Sequence, residues 1–403
     1  HPTGMLLPLL VSVASALLRL PVLPETSMAA TRHAFQEHAI EIAALEFRWS
    51  LEDSDEEYSP RCFAEDDLTV AARVPASAAG PDAIALRCGS LVHATTTAIL
   101  NRDECDALAA DAAAVLSSRV GNSRKYGEGR DTLYAVPEVQ SRTVHVLDCS
   151  ASTRSWLRRK LRTTIFPLAA SCYGLEEEEL VVFDALVVGY HAAANATQMP
   201  AHRDSALVTI NIALSDSAEY TGGGLAIEAS GEVVRLPRGH AACHASGVRH
   251  AGYPITAGVR WVLVIFLMSR GVPQIAWRCA ERAALMKVKA RDAMRHDGDG
   301  GVEAAAEALE TAEACLGAAS ALVPNDHEFL HARAGLHAMR GESAKARACA
   351  LGAALAYPLC PKPRLALGTL LLEAGRTRGA LRQYVAALAA APDGAAGADD
   401  AWE

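Results

Sequence analysis

Between Leu180 and Met268 the sequence consists of strand-length blocks with no helical pattern between them. Residues 180–190 and 206–214 are rich in β-branched and apolar side chains, and turn residues bound each block. Three further blocks follow at Leu225 to Glu228, Glu232 to Leu236 and Trp261 to Met268. Such a series is typical of an all-β sandwich or barrel. The sequence therefore predicts an α+β protein in which helices flank a β-rich domain.

After Gln274 the composition changes to alanine, leucine and arginine at helical spacing. Pro324, Pro358 and Pro392 lie 34 residues apart, and small residues precede each proline at matching offsets. This period resembles that of tetratricopeptide repeats, in which small residues let two antiparallel helices approach closely. An ordinary set of alanine-rich helical hairpins remains the alternative. We expect an all-α domain of helical repeats over residues 275–393, followed by a tail over 394–403.

The domain boundaries upstream follow from composition. Residues 52–67 are acidic and 75–81 are rich in alanine, proline and glycine, so 31–83 is interpreted as an unassigned segment and linker. A folded domain is expected over 84–272, with a strand and then a helix capped at Asn101 or Asp103. The glycine-rich stretch Gly121 to Arg130 predicts a mobile loop.

Residues 1–30 contain an apolar run of signal-peptide length that no Lys or Arg precedes. Entry into the secretory pathway and endoplasmic reticulum, or a cytoplasmic location, are both compatible with this pattern. No later stretch is long and apolar enough to suggest a membrane helix. The formal net charge of −9 argues against a nucleic-acid partner, which needs a surplus of Lys and Arg. Ten cysteines without a C-x-x-C pair leave disulfide formation open.

Three residues of the sequence form a candidate metal site. His202 and Asp204 are two positions apart, so on a strand their side chains point to the same side. His250, from a different strand, would complete a face of two histidines and one carboxylate, the ligand set of non-haem Fe(II) oxygenases. Arg260 follows at the start of an apolar strand, where a guanidinium is costly unless it pairs with a carboxylate.

With these residues, the sequence resembles the prolyl 4-hydroxylase and procollagen lysyl hydroxylase branch of the Fe(II)/2-oxoglutarate dioxygenases. The resemblance covers roughly residues 84–270. It rests on the His202-x-Asp204 pair, on segments 209–215, 219–224, 237–239 and 244–246, and on His250 with Pro254, Thr256, Gly258 and Arg260.

The resemblance implies a double-stranded β-helix, or jelly-roll, that holds Fe(II) between His202, Asp204 and His250. It further implies 2-oxoglutarate as co-substrate, with its far carboxylate on Arg260, and O2 as oxidant, with ascorbate restoring oxidised iron. Lesser candidates for the co-substrate pocket are Tyr190, Thr209 and Asn211. The sequence departs from the family at His244, Ala245 and Ala213, which puts pocket shape and substrate class in doubt.

The resemblance implies hydroxylation of a peptidyl side chain, with lysine and proline as the first candidates. Protein or peptide substrates are favoured because helical repeats usually engage peptides, and the repeat domain over 275–393 could also bind a separate partner. Two alternatives stay open: a dioxygenase acting on a free small molecule, and a non-catalytic barrel that supports a repeat-based interaction module.

Overall fold

The protein is described by a computed structural model, and it combines helices with antiparallel sheets, as the sequence predicts. The described residues are 25–49, 59–118, 143–272, 274–295 and 299–390. Three segments singled out in the sequence lie outside them: the candidate signal segment up to residue 24, the Gly121–Arg130 loop and the 394–403 tail. Ile42–Val272 forms one compact unit, the β unit, while His1–Glu41 together with Pro273–Glu403 forms the helical unit.

The strands are β1 (Leu68–Arg73), β2 (Leu91–Thr95), β3 (Thr143–His145), β4 (Leu180–His191), β5 (Met199–His202), β6 (Val208–Ala213), β7 (Tyr220–Gly222), β8 (Leu225–Ile227), β9 (Glu232–Val234), β10 (Ala241–Ala245), β11 (His250–Gly252) and β12 (Ile255–Ser269). The helices are α1 (Glu25–Arg48), α2 (Arg102–Ser118), α3 (Ala151–Lys160), α4 (Phe166–Tyr173), α5 (Ile275–Arg295), α6 (Asp299–Leu322), α7 (His327–Met339), α8 (Ser343–Ala356), α9 (Pro361–Glu373) and α10 (Thr377–Ala390).

The larger sheet of the β unit is built around β12, its longest strand. Its order is β1-β2-β10-β6-β12-β4-β3, and β7 pairs with β12 beside this path. Every residue of β6 is buried, which suits a run of β-branched and apolar residues covered on both faces. Gly189 on β4 lets the ring of Trp261 cross the strand, because an added Cβ would lie 2.6 Å from that ring. Both β4 and β12 therefore lie in the core, next to the candidate site.

The smaller sheet has the order β5-β11-β8-β9. Pro200 lies in β5, an edge strand, where the missing N–H of proline removes no ladder hydrogen bond. Because β5 and β11 pair in antiparallel fashion, His202 lies directly opposite His250. This register brings together two residues that are far apart in the sequence.

The β unit includes strand β1, which lies before Ile84 in the sequence and pairs with β2. The sheet therefore begins before residue 84, where the sequence predicts the start of the folded domain. Within β1 only Ala72 is buried, so its sequence lacks a clear apolar alternation. Helix α1 lies mostly in the segment that the sequence leaves without an assigned structure. Its first part belongs to the helical unit, where Ala34 is buried among residues of α5 and α6, and Ile42 and Leu45 are buried in the β unit.

The last four helices of the helical unit form two pairs that repeat at a constant interval. Helices α7 and α9 begin 34 residues apart, at His327 and Pro361, and α8 and α10 are related by the same interval. Gly368 gives close contact between α9 and α10, since an added Cβ would lie 2.5 Å from the Tyr384 ring. The period matches the sequence, and the tetratricopeptide character stays a prediction. No helix among the described residues is long and apolar enough to cross a membrane.

Candidate active site

Strands β5 and β11 bring three potential metal ligands to one point. His202 ends β5, Asp204 follows it by two residues, and His250 begins β11. One ligand atom from each of the three lies within 4.8 Å of the other two. The carboxylate of Asp204 lies between the rings, with Oδ1 3.4 Å from Nε2 of His202 and Oδ2 3.5 Å from Nε2 of His250. The structure thus brings together the three residues that the sequence nominates.

Backbone carbonyls fix the orientation of both imidazoles. Nδ1 of His202 lies 2.8 Å from the carbonyl oxygen of Pro200, and Nδ1 of His250 lies 2.9 Å from that of Val248. A carbonyl oxygen can only accept, so each Nδ1 carries a proton and donates. Each Nε2 is then left facing Asp204, with its lone pair available to a metal ion. Histidine ligands of metal sites are oriented in this way through their second nitrogen.

The ionisation of the three side chains favours a bound cation. Burial by itself would raise the pKa of Asp204, but His250 and His202 beside it hold that pKa well below its usual range. Burial lowers the pKa of His250 to about 3. Desolvation lowers the pKa of His202, yet the hydrogen bond and charge of Asp204 outweigh it and the net shift is upward. The site therefore holds an anionic carboxylate beside the neutral ring of His250, and both groups can bind a cation.

A chain of hydroxyl groups holds the carboxylate of Asp204. Oγ1 of Thr209 on β6 donates to Oδ2 of Asp204 at 2.6 Å. The Thr209 hydroxyl also lies 2.8 Å from Oγ of Ser246. Its single proton is used toward Asp204, so Ser246 donates to Thr209. The sequence suggests Thr209 as a pocket residue, whereas the structure places it behind the carboxylate, and Ser246 was not singled out.

The triad opens into a cavity of about 150 Å³ that is lined by both sheets. A water molecule needs only about 10–15 Å³ of such space, so the cavity has room for a small molecule. Apolar side chains of β4 and β12 form one wall: Leu186, Val188, Val262 and Val264. The sequence candidates Tyr190, Asn211 and Arg260 line the same cavity.

Arg260 is a buried cation in this cavity. Its residue is 8% exposed, and it lies directly opposite Tyr190 in the β12–β4 register. The guanidinium carbon is 5.1 Å from the centre of the Tyr190 ring. Burial raises the pKa of Tyr190, and a hydrogen bond with Arg260 opposes that shift. Within the described ranges no carboxylate pairs with Arg260, so this cation is available to an anionic ligand.

His244 and Asn211 form a polar pair next to His250. The ring of His244 is buried with its centre 4.4 Å from that of His250. Its Nε2 lies 3.2 Å from Nδ2 of Asn211, and its Nδ1 lies 2.9 Å from the carbonyl oxygen of Ala245. Burial lowers the pKa of His244, so the ring is neutral.

Two phenylalanines that sequence reasoning missed also line the cavity, Phe183 and Phe266. Phe266 lies opposite Asp184 and the next residue of β12 lies opposite Val182, so Phe183 has no counterpart across the ladder. This bulge turns Phe183 toward the cavity side of β4, as bulges near active sites often do. No residue pattern marks the bulge, so the sequence contains no signal for it.

Comparisons with known proteins give structural similarities only. No family model and no curated protein matches the chain. One similar solved structure is AviO1 from Streptomyces viridochromogenes Tue57, at 21% identity and TM-score 0.33, covering 45% of this chain and 91% of that one. A second is the viral collagen prolyl hydroxylase vCPH from Paramecium Bursaria Chlorella virus-1, at 13% and 0.30, covering 44% and 95%. A third is SnoK, a non-haem alpha-ketoglutarate-dependent carbocyclase from nogalamycin biosynthesis, at 16% and 0.35, covering 50% and 86%.

Proposed function

We propose that the β unit is an Fe(II)- and 2-oxoglutarate-dependent dioxygenase. The observation that carries this proposal is the meeting, in one cavity, of the His202, Asp204 and His250 triad with the buried guanidinium of Arg260. Two imidazole nitrogens and one carboxylate oxygen form the facial ligand set of non-haem iron oxygenases, which leaves positions open for other ligands. An unpaired buried guanidinium suits the far carboxylate of a dicarboxylic acid.

The residues of this chain would bind and orient the reactants. Arg260 would bind the far carboxylate of 2-oxoglutarate, with Tyr190 holding the guanidinium in place. Thr209 fixes the carboxylate of Asp204, so that one oxygen remains directed at the metal position. Leu186 and Val264 exclude water from the wall beside the triad. Activation of O2, coupled to conversion of 2-oxoglutarate to succinate and CO2, is the chemistry that a bound ferrous ion supplies.

For the substrate, we propose a polypeptide side chain, with lysine and proline as the first candidates. The support is the helical unit, whose helices recur at 34-residue intervals. Stacked helical repeats create extended surfaces that commonly engage peptides. Ascorbate would serve as the reductant that restores ferrous iron after an unproductive cycle.

Succinate release tests this function. Protein loaded anaerobically with Fe(II) receives O2, ascorbate and 2-oxoglutarate, alone and with lysine-rich or proline-rich peptides. We expect turnover by the wild type, stimulation by one peptide class, and no turnover by Asp204→Ala. Asp103→Ala, which removes an exposed carboxylate of α2, is the matched control and should retain turnover. Turnover without stimulation by any peptide would favour a small-molecule substrate, and turnover by Asp204→Ala would contradict the metal site.

A further inference from the structure

The hydrogen bonds around His244 have a defined polarity. Its Nδ1 faces the carbonyl oxygen of Ala245 at 2.9 Å, and a carbonyl oxygen only accepts, so Nδ1 carries a proton. The ring is fully buried and 4.4 Å from His250, where a cation at the triad would disfavour a second positive charge. A neutral imidazole has one proton, so Nε2 must accept. Nδ2 of Asn211, 3.2 Å away, is therefore the donor.

This polarity decides how the amide of Asn211 is turned. The oxygen and nitrogen of an asparagine amide have nearly the same shape, and only hydrogen-bond partners select one of the two flip states. Because Nε2 of His244 accepts, the NH2 group of Asn211 is directed to it. Asn211 also lines the cavity and lies opposite Val264, on the strand that carries Arg260. Its remaining polar atoms are thereby presented in one fixed arrangement to a ligand in the cavity.

We propose that His244 is a positioning residue that holds the Asn211 amide in a single flip state and so fixes the hydrogen bonds available to 2-oxoglutarate. The inference rests on the proposed function, because 2-oxoglutarate is the ligand concerned. His244 is assigned no contact with the reactants, and it acts through Asn211. This role requires a hydrogen-bond acceptor at position 244. An aromatic ring without an acceptor would fill the space without orienting the Asn211 amide.

The test separates the acceptor from the ring. His244→Phe keeps a ring beside His250 and removes the acceptor. His244→Gln removes the ring and keeps an acceptor, because its NH2 group can replace Nδ1 as donor to the Ala245 carbonyl and leave Oε1 for Asn211. Full-length protein is loaded with Co(II), which the same donor set binds. The Co(II) absorption spectrum then reports the affinity for the metal and, on titration, the affinity for 2-oxoglutarate. His93→Phe on β2 is the matched control, because His93 lies opposite Cys243 of β10, the strand of His244, and outside the cavity lining.

We expect His244→Phe to bind Co(II) within about threefold of wild type and 2-oxoglutarate about tenfold more weakly, the cost of one oriented hydrogen bond. His244→Gln and His93→Phe should bind 2-oxoglutarate like wild type. Asn211→Ala should show the same tenfold loss, and adding His244→Phe to it should cause no further loss, because both act through one hydrogen bond.

Three outcomes would overturn the inference. One is wild-type affinity of His244→Phe for 2-oxoglutarate, and another is a double variant whose losses multiply. The third applies if His244→Phe does not fold: a tenfold loss in His244→Gln would show that the ring, and not the acceptor, matters. Absence of Co(II) or 2-oxoglutarate binding by the wild type would instead overturn the proposed function, and this inference with it.

Discussion

Replacing Arg260 by leucine isolates the contribution of the proposed carboxylate clamp. The guanidinium is 8% exposed, and within the described chain it has no carboxylate partner. A ligand carboxylate bound to it would therefore form a buried ion pair. Removing one member of such a pair leaves the other charge buried and alone, which costs about 3–5 kcal/mol. Since about 1.4 kcal/mol corresponds to a factor of ten, the Kd for 2-oxoglutarate should rise by about a hundredfold or more.

A ligand without the far carboxylate provides the internal control. 2-Oxopentanoate keeps the keto acid group and has a methyl group in place of the second carboxylate. Wild type and Arg260→Leu should bind this ligand with similar affinity, because it has no second carboxylate for Arg260 to hold. Both Kd values can be read from titrations of Co(II)-loaded protein, with Arg73→Leu as the matched variant, since Arg73 is exposed at the end of β1.

Two results would refute this assignment of Arg260. If Arg260→Leu bound 2-oxoglutarate as tightly as wild type, the far carboxylate would lie elsewhere. If the variant lost both ligands to the same extent, the change would have damaged the cavity as a whole. Near-ultraviolet circular dichroism of each variant would show whether the packing of the aromatic side chains is retained.

Three further predictions concern the metal site and the helical unit. Thr209→Val removes the hydroxyl that donates to Asp204 with little change of shape, so Co(II) should bind about tenfold more weakly in a spectral titration, and equal affinity would contradict this role. Burial lowers the pKa of His202, but Asp204 raises it more, so the net shift is upward. Because metal binding displaces a proton from His202, the affinity for Co(II) should rise with pH through the pKa of His202 and weaken below neutral pH. A flat profile between about pH 5 and 8 would show that no such proton is displaced. Gly368→Ala would place a Cβ 2.5 Å from the Tyr384 ring, so it should destabilise the helical unit by about 1–3 kcal/mol and lower its Tm in a thermal melt.

The grouping of the candidate site residues can be read from the sequence more directly than the outer parts of the fold. His202, Asp204, His250 and Arg260 meet in one cavity, as their spacing suggests, although Asp204 follows strand β5 and does not lie on it. The pairing of His202 with Asp204 could be inferred from their two-residue spacing, and Arg260 from the cost of a buried charge, because both leave a local trace in the sequence. The 34-residue interval could also be inferred, since each repeat must bury small residues at the same positions.

Other features depend on contacts between distant segments and leave no local trace. Strand β1 has a single buried residue, Ala72, so its pairing with β2 cannot be read from apolar alternation. Phe183 faces the cavity only because a bulge interrupts the β4–β12 ladder. Thr209 looked like a pocket residue, but its hydroxyl is used to hold Asp204. In each case the residue type can be read from the sequence, but the direction of its side chain depends on a neighbouring strand.

The two histidines of the triad show how local and long-range information combine at this site. Each ring donates from Nδ1 to the carbonyl oxygen two residues before it, that of Pro200 for His202 and that of Val248 for His250. The direction of each Nε2 is therefore encoded within its own strand segment. Strand pairing has only to bring His202 opposite His250, and the antiparallel register of β5 and β11 does so. A shift of this register by one residue would turn one ring to the other face of the sheet and remove it from the site, even though its own hydrogen bond stayed intact. The geometry of the site thus depends more on the pairing of two short strands than on any single contact of the imidazoles.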